Sequence, residues 1–67
     1  MSNAGAYEAW QQYRNKLHTE AMTIVAEAVE IQGNPFDARP LIEDHLEPGP
    51  LREIALRYLE KLEAAAE

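Results

Sequence analysis

Residues 6–35 read AYEAWQQYRNKLHTEAMTIVAEAVEIQGNP, and this stretch decides the fold. It carries no proline and no glycine until Gly33-Asn34-Pro35, a combination that ends helices. The spacing predicts one uninterrupted helix over residues 6–32. At 100° per residue, Trp10, Tyr13, Leu17, Ala21, Ile24, Ala28 and Ile31 fall on one stripe. Tyr7, His18, Met22, Val25 and Val29 form an adjoining stripe, and Gln12, Lys16, Thr19, Glu20, Thr23, Glu27 and Glu30 lie opposite. The apolar arc spans about 180°, wider than the stripe of roughly 100° on an ordinary surface helix. Such an arc serves two neighbours, as in a helical bundle. Two successive four-residue steps at Tyr13, Leu17 and Ala21 argue against a long two-stranded coiled coil.

The rest of the chain is punctuated by proline. Asn34-Pro35-Phe36-Asp37 reads as a turn, with Asp37 capping a short helix over residues 38–46 and Pro40 in its first turn. Phe36, Leu41, Ile42 and Leu46 are its apolar residues, and the segment is expected to plug one end of a bundle. Glu47-Pro48-Gly49-Pro50 breaks the chain again. A third helix follows over residues 50–66, with Pro50 in its first position and Glu53 near its positive end. Leu51, Ile54, Ala55, Tyr58, Leu59 and Leu62 form its apolar face, and Glu53 and Arg57 are spaced to pair. Leu56 falls off that face and is a candidate for a second interface. Residues 1–5 are read as an N-terminal extension or a vector remnant, with Asn3 as a candidate cap, and residues 6–67 as one helical domain.

The expected fold is therefore all-α, a helical hairpin with a short middle helix. A chain of 67 residues buries too little surface to be more than marginally stable alone. It has no cysteine, so neither disulfides nor thiolate metal sites can support it. Self-association is the remaining support. The longest helix would overhang its shorter neighbour over residues 7–17, exposing three of the five aromatics. A homodimer that closes a four-helix bundle would cover them. The expected dimer face is Tyr7, Trp10, Tyr13, Leu17, Ala21, Ile24, Ala28 and Ile31. Arg14, within the arc, is expected to reach an acid such as Asp44 or Glu47, within the chain or across the dimer.

Charge narrows the partners. The net charge is −6, with residues 1–19 carrying +1 and residues 20–67 carrying −7. An acidic surface repels phosphate, so direct nucleic-acid binding is not expected. No run approaches the ~20 apolar residues of a membrane span, and no leader is visible, so the cytoplasm is the default location. Another protein is an expected partner, and an acidic nucleic-acid mimic of the phage or plasmid inhibitor type is a weaker alternative.

Chemistry is sparse. His18 lies at the edge of the arc between Arg14 and Met22, which are poor metal partners. His45 sits at a helix C-terminus, where it suits the dipole. There is no Gly-rich phosphate loop and no serine besides Ser2. Glu27 and Glu30 stand three apart, and Asp44 and Glu47 repeat that spacing. These two pairs resemble the paired acids of all-α nucleotide pyrophosphohydrolases of the MazG kind. The resemblance implies magnesium held by Glu27, Glu30, Asp44 and Glu47 and hydrolysis of a nucleotide. On the helical wheel, however, Glu27 and Glu30 point away from the apolar arc, whereas magnesium carboxylates face a cleft that substrate phosphate completes. The residues themselves predict no enzyme, no cofactor and no metal site. They predict an acidic helical protein-interaction module, homodimeric, acting as adaptor, regulator or inhibitor.

Overall fold

The computed structural model of the chain describes residues 3–67, with side chains from residue 5 onward. Three helices follow one another: α1 (Asn3–Gln32), α2 (Pro35–His45) and α3 (Pro50–Ala66), with no strand among the described residues. The chain is all-α, as its periodicity predicts. Helix α1 starts three residues earlier than expected, and the expected cap at Asn3 rests on a side chain outside the described residues.

Helix α1 ends where the sequence says it should. Gly33 takes φ +85°, and its N–H donates to the Val29 carbonyl at 2.7 Å. A side chain there would clash in the left-handed region, so glycine closes the last turn at low cost.

The start of α2 corrects the expected boundary. Asn34, not Asp37, is the N-cap, in extended conformation, and Pro35 opens the helix. The Asn34 side-chain oxygen accepts from the Asp37 N–H at 2.9 Å, and its amide donates to the Asp37 carboxylate at 2.8 Å. Asp37 is thus the third helical residue, where its charge suits the dipole. One consequence is that Pro40 lies inside the helix rather than in its first turn, leaving the Phe36 carbonyl without its usual N–H partner. Helix α3 starts at Pro50, as expected, and the Gly49 carbonyl accepts from the Glu53 N–H at 3.0 Å.

The core lies where the three helices meet. Ala21, Val25 and Ala28 come from α1, Ala38 and Ile42 from α2, and Ala55 and Leu59 from α3. Alanine supplies four of these seven, which lets the helices approach at the close end of the usual ~8–10 Å range. Helix α2 is therefore more than a plug, because Ala38 and Ile42 are central. Leu56, expected off the apolar face, is half-buried against this core. The Arg39 guanidinium, near the start of α2, meets Glu63, near the end of α3, at 2.8 Å.

The molecule measures 49 × 24 × 15 Å, with a radius of gyration of 14.2 Å. A compact domain of this length would have about 11 Å. The excess is α1: every residue from Gly5 to Lys16 is exposed, because α2 and α3 cover only its later part. No described helix is long and apolar enough to cross a membrane.

Candidate interaction surface

The overhanging part of α1 is the most unusual surface of the molecule. Its aromatic side chains are largely open to solvent: Tyr7 is 61% exposed, and Trp10 and Tyr13 are each 55% exposed. Local contacts link its side chains along the helix. The Arg14 guanidinium sits 5.0 Å from the centre of the Trp10 ring, a cation–π stack one turn along the helix. Gln11 donates to the Tyr7 hydroxyl at 3.1 Å. The stack replaces the expected contact of Arg14 with Asp44 or Glu47 inside the chain. Three aromatics this exposed on so small a protein form the kind of patch that marks an interaction site.

The eight residues expected on the dimer face fall into three groups. Ala21 and Ala28 belong to the chain's own core, and Leu17 and Ile24 are half-buried. Tyr7, Trp10, Tyr13 and Ile31 remain open to solvent, Ile31 at 72%. The exposure of the aromatic end was legible from the length of α1. The exposure of Ile31 was not, because it depends on where α2 crosses.

That crossing creates a second feature. An open groove of about 260 Å³ runs between α1 and α2, walled by Ile24, Ala28, Ile31, Leu41 and Leu46. Glu27 and His45 also line it. Glu27, placed on the polar side by the helical wheel, thus borders an apolar surface. The His45 Nδ1 lies 3.0 Å from the Leu41 carbonyl at the end of α2, a helix-terminal role the sequence suggested. Phe36, counted among the apolar residues of α2 in the sequence, is also exposed.

Charge is distributed along the same axis. Arg14, His18, Arg57 and Lys61 line a shallow cleft between α1 and α3, with no carboxylate in its walls. The acids cluster elsewhere, and Arg39 holds two of them, Glu63 at 2.8 Å and Glu60 at 3.9 Å. The hydrogen bond that Arg39 donates to the Glu63 carboxylate raises the guanidinium above its ordinary pKa; partial burial opposes this, and the charges of Glu63, Glu60 and Glu43 add to it. Sequence spacing could not reveal this pair, since its partners are 24 residues apart. Glu53 and Arg57, by contrast, do not pair; among the described residues the ion pairs are those of Arg39.

No three described histidine, aspartate or glutamate side chains gather into a metal-holding group. Glu27, Glu30, Asp44 and Glu47 are therefore not drawn into one site. The chain matches no family model, no curated protein and no solved structure.

Proposed function

We propose that this chain is a small acidic protein–protein interaction module that works as a homodimer and acts as an adaptor, regulator or inhibitor. The observation that carries this reading is the overhang of α1, which leaves Tyr7, Trp10 and Tyr13 more than half exposed. Tyrosine and tryptophan dominate interface energetics, and a core with four alanines among its seven residues gives a lone chain little stability in reserve. Self-association meets both needs, with two such chains closing a four-helix bundle. The face presented to the partner copy is the open part of the stripe, Tyr7, Trp10, Tyr13 and Ile31, together with the half-buried Leu17 and Ile24. Leu56 remains a candidate for a second contact through its exposed part.

Trp10 is the only tryptophan, so its fluorescence reports this surface directly. At high protein concentration its emission is expected to be blue-shifted and poorly quenched by iodide. Freely quenched, water-like emission at millimolar protein, from a chain that is helical by circular dichroism, would remove Trp10 from any self-contact.

A further inference from the structure

The aromatic end of α1 and the α1/α2 groove lie on the same side of one helix. Trp10 and Ala28 are 18 positions apart, about five full turns, so they share an angular position, and Tyr13 and Ile31 do the same. Tyr13, Leu17, Ile24 and Ile31 thus form one line, with the strip at one end and the groove at the other. We propose that two copies dock with their α1 helices antiparallel, the Trp10–Tyr13 strip of each seated in the α1/α2 groove of the other. This rests on the homodimer reading above and specifies which surfaces meet.

Two features point to a second copy as the occupant. First, one register satisfies the whole line. With the two-fold axis between Glu20 and Ala21, Trp10 opposes Ile31, Tyr13 opposes Ala28 and Leu17 opposes Ile24. Tyr13 then faces Ala28, the small residue of the groove wall. Second, charges pair across the seam. Lys16, Glu20 and Glu27 fall within about 40° of one another along one edge of the line. Antiparallel docking sets Lys16 of each copy within a turn of the other's Glu27, two such pairs against one approach of the two Glu20 side chains at the axis.

The test uses exposed positions, so folding is preserved: Ile31→Glu, Lys16→Glu, Glu27→Lys and the double reversal, each followed by sedimentation equilibrium. Ile31→Glu is expected to weaken the dimer at least about ten-fold with unchanged helicity. Each single charge reversal is expected to weaken it about three-fold, and the double reversal to restore it. A wild-type dimer indifferent to Ile31→Glu, with no rescue in the double variant, would overturn this docking and leave the homodimer reading standing. A monomeric wild type would overturn both.

Discussion

Replacing Trp10 by alanine separates the interaction surface from the fold. In the single chain this indole is 55% exposed, lies outside the core and carries the Arg14 guanidinium over its ring. An exposed cation–π stack is worth about 0.5–1 kcal/mol, and alanine's higher helix propensity offsets part of its loss. The stability of the lone chain should hardly change. The dimer should change a great deal. A tryptophan has up to ~250 Å² to bury, so roughly 140 Å² remains for a partner. At about 25 cal/mol per Å², that area corresponds to roughly 3.5 kcal/mol before ordering costs. A net loss of about 2 kcal/mol per site is in line with an interface hot spot. A two-fold dimer contains the site twice, so about 4 kcal/mol is lost, close to a thousand-fold in Kd. Sedimentation equilibrium with fluorescently labelled protein would measure this directly, and circular dichroism would confirm that the variant is still helical. An unchanged Kd in a folded variant would refute the placement of Trp10 in the seam.

Other substitutions test the fold. Leu59→Ala removes the largest α3 side chain from a core rich in alanine; it is expected to cost about 2–5 kcal/mol, enough to unfold much of the protein in a thermal melt. Asn34→Ala removes both the cap of α2 and the partner of Asp37, and a urea titration should show a loss of about 1 kcal/mol. Because unfolding also separates the copies, each ten-fold rise in protein concentration should stabilise the dimer by about 1.4 kcal/mol, visible as a rise of several degrees in Tm.

Sequence and structure agree best where the signals are local. The stop at Gly33, the start of α3 at Pro50 and the exposure of the aromatic end of α1 all follow from single residues or from helix length. Asn34-Pro35-Phe36-Asp37 carried a complete cap signature, but reading Asp37 as the cap kept Pro40 in a first turn, and that preference misplaced the boundary. Leu56 was misplaced for a different reason. Helix α3 packs against both α1 and α2, which widens its buried face beyond a single stripe. The Arg39–Glu63 pair and the α1/α2 groove depend on how α2 lies against its neighbours, and no spacing within one helix encodes that.

The central claim is that α1 carries a surface that a second copy covers. Light scattering after gel filtration, across a dilution series, measures this most directly. The account predicts a mass of about 15 kDa, twice the 7.6 kDa chain, falling toward the single-chain value only on strong dilution. A helical protein that stays at the mass of one chain even at millimolar concentration would contradict it.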